Sequence, residues 1–293
     1  IPLTVAGGGE AVKKATAGVI SAPIPTSQTL FSGYSIVAVL ILLVTLPLLN
    51  KAMMPSKEET VVVDPKMLIE DPEPEVIPRD KMTPADKLEN SRLISLLVAA
   101  MGFTYIFYYF STKGFNLTLD VVNGIFLFLG LILHGTPKRF IAAITDAAKG
   151  AAGIILQFPF YAGIMGMMVG ANAAGASLAG EIANVFVAIS TPRTFPLFTF
   201  LAGGIINFFV PSGGGQWAVQ APIMMPAAAQ LGVDPAKVAM GIAWGDAWTN
   251  MIQPFWALPA LAIAGLSAKD IMGYCLIDLI YAGIIICGAF YFL

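Results

Sequence analysis

One acidic residue stands alone in a long apolar part of the sequence. Between residues 194 and 266 the charged side chains are Asp234, Lys237 and Asp246, and the first two belong to the turn-forming segment LGVDPAK. Asp246 is therefore the acid expected at membrane depth, where an ionisable side chain is costly and is by default a functional candidate. The alternative is a structural, hydrogen-bonded carboxyl.

Polar side chains follow this acid at helical spacing. Thr249, Asn250 and Gln253 come at intervals of three and four residues, so on a helix they share its face. Gly245 and Pro254 bound a stretch that can unwind, and oxygens on unwound backbone could surround a cation. The sequence predicts an ion-coupling site at Asp246, Thr249, Asn250 and Gln253, for Na⁺ or H⁺, with no other cofactor.

A second irregular segment lies inside the uncharged stretch 194–233. It reads Pro-Ser-Gly-Gly-Gly-Gln-Trp at 211–217, and proline with three glycines does not stably continue a helix. Non-helical backbone at membrane depth is tolerated against protein or a water-filled cavity. We therefore predict a re-entrant hairpin over 194–231, with half-helices 194–210 and 217–231 joined at this tip. A Gly-Pro kink that serves packing alone is the alternative.

The tip of this hairpin suits an anion. Backbone N–H groups and the positive end of the dipole at the start of the second half-helix attract negative charge, and glycine permits close approach. The segment has no Lys, Arg or His, so the cargo's charge must be balanced by a cation or by protonation of Asp246. The predicted substrate-binding residues are Ser212, Gly213, Gly214, Gly215, Gln216, Trp217, Asn207, Trp248 and Asn250, and Gln220 is a further polar side chain nearby.

Four aromatic residues could form an apolar wall beside such an anion: Trp217, Trp248, Phe255 and Trp256. Lipid-facing or core packing is an equal alternative for each of them.

The composition identifies an integral membrane protein. Of 293 residues, 57% are hydrophobic and 12% are charged, against about 25% charged in soluble domains. The 16 basic and 18 acidic residues provide no basic field for nucleic acid. Common hydrolase and nucleotide-binding motifs do not occur, so an enzyme is not expected. We predict an all-α, multi-span transporter with a re-entrant hairpin and a broken transmembrane helix.

The elements that position the site follow from the charge pattern. Half of the charged side chains lie between residues 51 and 92, a proline-rich stretch read as a polar connector. Residues 1–50 are predicted to end a first repeat and form a spanning helix, and 93–293 to form a second repeat with the hairpin 194–231 and a broken helix 237–266. Spans are predicted at 30–50, 93–112, 118–134, 150–170 and 272–292, with a short interfacial helix at 138–149.

Basic residues near the ends of these spans give an orientation. One set is assigned to the cytoplasmic side: Lys51, Arg92, Lys138, Arg139, Lys149 and Lys269. The other set is assigned to the outer side: Lys113, Arg193 and Lys237.

Long motifs in the sequence resemble a known family. PSGGGQWAVQAPIMMPAAAQLG at 211–232 and GDAWTNMIQPFWALPALAIAGL at 245–266 are similar to the bacterial short-chain fatty acid transporter family, and QFPFYAGIM at 157–165 and KDIMGYCLI at 269–277 extend the match. The resemblance runs over essentially the whole chain. Members of this family are longer, so the chain is expected to be a C-terminal part.

A more distant resemblance is to the ion-transporter superfamily of carboxylate carriers. It implies inverted repeats, paired hairpins and alternating access by a moving domain, often in a homodimer. Hairpin tips in that superfamily carry Ser-Asn-Thr, whereas this chain has Ser-Gly-Gly-Gly at 212–215.

These observations lead to one expected function and two alternatives. We expect a cation-coupled secondary transporter of small monocarboxylates, such as acetoacetate or butyrate, in the bacterial inner membrane. The expected partners are a small carboxylate, the lipid bilayer and a second copy of the chain, with no nucleic acid. A dicarboxylate or other organic-anion carrier is the first alternative, and a membrane-embedded enzyme is a remote one.

Overall fold

A computed structural model describes residues 1–58, 60, 78–253, 257, 260–261 and 266–293. Helices joined by turns make up this part of the chain, and no strand occurs in it, as the all-α prediction requires. The helices are α1 (Pro2–Gly7), α2 (Glu10–Ala15), α3 (Gly33–Ala52), α4 (Pro84–Glu89), α5 (Arg92–Lys113), α6 (Leu119–His134), α7 (Pro137–Val169), α8 (Leu178–Ala188), α9 (Phe195–Asn207), α10 (Gly213–Leu231), α11 (Pro235–Thr249) and α12 (Ala268–Phe292).

Several of these helices can cross a membrane. Within the described ranges, α3, α5 and α12 have the length and hydropathy of spans, and α6 with Pro137–Lys149 passes the same test as a pair bent by 119°. Large apolar side chains on α3 are exposed, with Leu43 at 67% and Leu48 at 61%. Such continuous apolar surface is suited to lipid.

The chain divides into two compact units. The larger unit contains Ile1–Val63 and Ile154–Leu293, and the smaller contains Asp64–Gly153. These limits follow three-dimensional contacts and differ from the three segments drawn from composition, 1–50, 51–92 and 93–293.

In the smaller unit α5 packs against α6. Gly102 of α5 lies under the Phe128 ring, and any Cβ at this position would clash with that ring. Ahead of them, Thr83 and Asp86 form the capping box of α4, and the hydrogen bonds from Thr83 hold the pKa of the Asp86 carboxyl below its usual value.

One helix differs from the prediction. The interfacial helix at 138–149 and the span at 150–170 form a single helix of 33 residues, α7, with Pro159 inside it. The sequence predicts a boundary at Lys149, because a charged side chain there ends the apolar stretch. A charged side chain does not interrupt backbone hydrogen bonding, so the helix continues through it.

The core of the larger unit is built around α10 and α11. A cluster of buried side chains joins the N-terminal segment to these helices, with Val5 and Val12 packed with Met224, Met225 and Ile242. A second cluster joins α9 and α11 to α12 through Phe200, Met240 and Phe290. Both clusters adjoin the hairpin formed by α9 and α10.

The predicted hairpin is present with shifted boundaries, and the structure describes mainly the first part of the predicted broken helix. The hairpin consists of α9 and α10, and its glycines 213–215 form the first turn of α10 rather than a loop before it. The broken helix stays helical to Thr249 and then forms a single 3₁₀ turn, Asn250–Ile252. The interruption therefore begins five residues after Gly245. Most of its second half, including Pro254, lies outside the described residues.

Candidate functional site

The site begins with an unusually close approach of α9 and α11. A Cβ on Gly245 would lie 2.5 Å from the carbonyl oxygen of Phe200 and 2.8 Å from the Cα of Gly203. A Cβ on Gly241, one turn earlier, would lie 3.0 Å from the carbonyl oxygen of Pro196. Small residues at such spacing let helix backbones touch inside a membrane. Gly245 therefore packs helices and does not start an unwound segment.

Asn207, the last residue of α9, is the hub of the site. Its side chain is fully buried, and Nδ2 lies 2.8 Å from the carbonyl oxygen of Asp246, 3.0 Å from Thr249 Oγ1 and 2.8 Å from Asn250 Oδ1. Gln253 returns a hydrogen bond, since its Nε2 donates to the carbonyl oxygen of Asn207 at 2.8 Å. The structure thus brings together Asn207 and all four residues of the predicted ion-coupling site.

The carbonyl groups of α9 are bonded by side chains from both neighbouring helices. Thr249 Oγ1 donates to the carbonyl oxygen of Gly204 at 3.0 Å. From α10, Gln216 Nε2 donates to the carbonyl oxygen of Gly203 at 3.0 Å, and Gln220 Nε2 donates to that of Thr199 at 3.0 Å. Gln216 also donates to Gln220 Oε1 at 2.7 Å. A polar seam therefore follows one side of α9.

The tip of the hairpin meets the acid. Ser212 is the N-cap of α10, and its Oγ accepts a hydrogen bond from the Gly215 N–H at 3.4 Å. Asp246 Oδ2 lies 3.5 Å from the position that a Cβ on Gly213 would occupy. The carboxylate of α11 thus faces the positive end of the α10 dipole, the place predicted for an anionic cargo.

Four acceptor oxygens around this seam have no hydrogen-bond partner in the described part of the chain. They are buried and belong to Asn207 (Oδ1), Gln216 (Oε1), Gln253 (Oε1) and Asp246 (Oδ1). Buried acceptors without partners are costly, and a small hard cation is bound by carboxylate, amide and hydroxyl oxygens of this kind. The seam thus offers buried oxygens of the types that bind such a cation.

Of the predicted aromatic wall, the structure describes Trp217 and Trp248, and these two lie in different packing clusters. Trp217 is 6% exposed and packs in the core cluster that contains Val5 and Val12. Trp248 lies against Gly204 and Gly283 between α9 and α12, and its Nε1 donates to the carbonyl oxygen of Leu279 at 2.7 Å. Phe255 and Trp256 lie outside the described residues. The structure thus places Trp217 and Trp248 in helix packing.

Sequence reasoning did not assign the glycines 203, 204 and 241 or the backbone acceptors of α9. A signal was present, because Gly241 and Gly245 are four residues apart and Gly203 and Gly204 are adjacent, a small-residue pattern typical of close helix contacts. The capping serine at 212 was also readable, since serine before a turn of glycines is a preferred N-cap.

Buried polar groups where two helices end, within an apolar helical assembly, are the arrangement expected of a membrane transport protein. The chain belongs to the short-chain fatty acid transporter family, whose model matches residues 1–293.

Individual relatives agree with this assignment. The chain is 46% identical over 267 residues to a protein of Escherichia coli (strain K12) provisionally described as a short-chain fatty acid transporter, covering 91% of this chain and 59% of the relative. A Haemophilus influenzae protein with the same description is 46% identical over 270 residues, covering 92% and 59%. The chain therefore spans 59% of the length of both relatives.

A more distant similarity is to YfcC of Escherichia coli, provisionally described as a basic amino acid antiporter. It is 27% identical over 148 residues, which cover 50% of this chain and 28% of that protein. No solved structure matches the chain at a comparable level of significance.

Proposed function

We propose that the protein containing this chain carries small monocarboxylates, such as butyrate or acetoacetate, across the bacterial inner membrane, coupled to Na⁺ or H⁺. Family membership supports the substrate class. The observation that carries the coupling is the position of Asp246, whose carboxylate faces the N-terminal turn of α10 at Gly213.

Coupling follows from the charges at this point. The helix N-terminus favours one negative group, and Asp246 already supplies it. A cargo carboxylate brought to Ser212–Gly215 would place two like charges close together in a poorly solvated region. A proton or a cation on Asp246 removes the repulsion, so the cargo anion and the positive ion bind together.

The oxygens of the seam are proposed to bind that ion. Asp246, Thr249, Asn250 and Gln253 surround Asn207, and Asn207 and Gln253 each retain a buried oxygen without a partner. For Na⁺, these oxygens would replace part of the hydration shell. For H⁺, the carboxyl of Asp246 would be the binding group.

A monocarboxylate is favoured over a dicarboxylate by the lack of cationic side chains. The sequences 194–233 and 238–268 contain no Lys, Arg or His. A second carboxylate would need a second positive partner. From the distant resemblance to carboxylate carriers, we also propose that the protein forms a homodimer. In each copy, the unit that contains the hairpin would move during transport.

An uptake assay tests the proposal. The intact protein is reconstituted in liposomes, and uptake of radiolabelled butyrate is measured with Gly214→Leu at the tip. Gly214 is exposed and a Cβ there meets nothing within 4 Å, so the variant should fold while its side chain blocks the N–H groups. We expect a loss of uptake of about tenfold or more, which corresponds to about 1.4 kcal/mol of binding.

Gly273→Leu is the matched control, because a Cβ on this α12 glycine also meets nothing within 4 Å. It should keep normal uptake. Unchanged uptake in Gly214→Leu would remove the tip from the substrate site, and competition by succinate equal to that by butyrate would favour the dicarboxylate alternative.

A further inference from the structure

A second polar site lies at the N-terminal ends of α9 and α11, whereas Asp246 is near the C-terminal end of α11. Where α9 and α11 begin, a cavity of about 330 Å³ opens at the surface of the larger unit. Its lining includes charged side chains and the end of α12: Arg193, Lys237, Asp234, Tyr291, Phe292 and Leu293.

The two cations in this cavity are held by aromatic rings. The guanidinium of Arg193 lies 4.8 Å from the ring centroid of Tyr291, and Lys237 Nζ lies 5.5 Å from that of Tyr34. Among the described residues, neither takes part in a side-chain ion pair within 4.0 Å. Cation–π contacts orient a cation without cancelling its charge.

The acidic side chain in the cavity, Asp234, forms a hydrogen bond with the helix α11 that it precedes. Asp234 is the N-cap of α11, and its Oδ1 accepts a hydrogen bond from the Ala236 N–H at 2.9 Å. Two cationic side chains, Arg193 and Lys237, outnumber this one acid in the cavity, so its side chains keep a net positive charge, and the start of α9 adds the positive end of a helix dipole.

The cavity lies at the level where the spans of this unit end. Tyr34 in the first turn of α3 contacts Phe290 near the end of α12, with ring centroids 5.7 Å apart. At the opposite end of α3, Asn50 Nδ2 donates to the Asp278 carboxylate at 3.2 Å. The two spans are therefore antiparallel, and Tyr34, Tyr291 and Lys237 mark one membrane boundary.

We propose that this cavity binds the phosphate of an anionic phospholipid headgroup, with Arg193 and Lys237 as the charged ligands. A free small anion would share this chemistry. The lipid is favoured because Phe292 and Leu293 beside the cavity are 75% and 59% exposed, giving an acyl chain an apolar surface next to the cations. The volume also exceeds that needed by a phosphate alone, leaving room for the glycerol.

Native mass spectrometry of the detergent-purified intact protein tests this site. Phosphatidylglycerol is added, with phosphatidylcholine as the neutral comparison, and bound lipids are counted. We expect wild-type protein to retain one more phosphatidylglycerol per chain than Arg193→Gln/Lys237→Gln does. Each removed charge should weaken the apparent affinity by about fivefold.

Two further variants separate binding from folding. Arg193→Lys keeps the charge and should retain the lipid, whereas Lys51→Gln/Lys269→Gln removes two cations at the opposite ends of α3 and α12 and should leave this lipid in place. Equal losses in both double variants, or no loss in Arg193→Gln/Lys237→Gln, would overturn the proposal. Displacement of the lipid by butyrate would also overturn it, since the cavity would then take the free carboxylate.

Discussion

The Nδ2 group of Asn207 makes three hydrogen bonds across the site, and all its partners come from residues 246–250. It could be selected from the sequence as a polar residue near the tip. Its contacts could not, because they depend on how α9 crosses α11. The contacts of Trp248 could not be predicted either. The sequence suggests a place in a pocket wall, whereas in the structure its Nε1 donates to the Leu279 carbonyl oxygen.

Asn207→Ala tests the hydrogen bonds that Asn207 donates to residues 246–250. The substitution removes the bond donated to the buried Thr249 hydroxyl and the bond donated to the Asn250 amide oxygen, and it leaves a cavity in place of a fully buried side chain. We expect the free energy of unfolding to fall by about 3 kcal/mol and butyrate uptake to be lost. Thermal unfolding in detergent and liposome uptake measure the two effects.

Asn123→Ala on α6 is the control, because Asn123 is exposed. Its unfolding free energy should change by at most about 0.5 kcal/mol. Equal melting temperatures for the two variants would show that the hydrogen bonds of Asn207 contribute nothing.

Trp248→Phe is expected to loosen α12. Phenylalanine keeps a ring against Gly204 and Gly283 but removes the Nε1 donor to Leu279. The loss should be about 1 kcal/mol in thermal unfolding. Trp244→Phe, in the same packing cluster, is the comparison. The account of Trp248 is contradicted when Trp248→Phe is as stable as wild type.

At the scale of elements, the hairpin was readable because proline and glycine at 211–215 interrupt a long apolar stretch. The predicted half-helices, 194–210 and 217–231, correspond to α9 and α10 within a few residues. Poor helix propensity predicts a loop at the glycines 213–215, whereas in the structure Ser212 caps a helix that begins at Gly213. The division of α7 was wrong because charge was taken as a helix end.

Gly245→Ala tests the close crossing of α9 and α11. The new methyl group would lie 2.5 Å from the Phe200 carbonyl oxygen. The atoms that it meets belong to the backbone of α9, so no side chain can rotate away to make room. The helices must separate, which we expect to cost about 3 kcal/mol in unfolding free energy and to break the bonds around Asn207.

The control for this crossing is Gly273→Ala in α12, where a Cβ meets nothing within 4 Å. Alanine there should leave stability unchanged or raise it by up to about 1 kcal/mol. If Gly245→Ala is as stable as Gly273→Ala, the helices do not touch as described.

For the whole molecule, composition was sufficient to predict an all-helical membrane protein, since long uncharged stretches require lipid or a buried core. Composition could not give the two compact units, because the division at 64–153 depends on which helices pack together. Composition also could not predict that Arg193 and Lys237 line the same cavity, because Arg193 lies just before α9 and Lys237 lies in the first turn of α11.

Cysteine labelling tests the arrangement of the spans. With Cys275 and Cys287 replaced by serine, Lys51→Cys and Lys269→Cys should react with a membrane-impermeant thiol reagent from one side. Lys237→Cys and Arg193→Cys should react from the other, because Tyr34 and Phe290 mark the opposite ends of α3 and α12 from Asn50. Labelling of Lys237→Cys and Lys269→Cys from the same side would contradict the antiparallel pairing.

The coupling of a cargo anion to a positive ion at Asp246 is tested most directly by equilibrium binding of butyrate to the purified protein. Binding is measured by calorimetry at neutral pH with and without Na⁺ and again at acidic pH, in wild type and in Asp246→Asn. We expect wild type to need Na⁺ or acid to bind butyrate, whereas the uncharged asparagine should allow binding without either. Wild-type binding that is indifferent to both ions, and unchanged in Asp246→Asn, would contradict it.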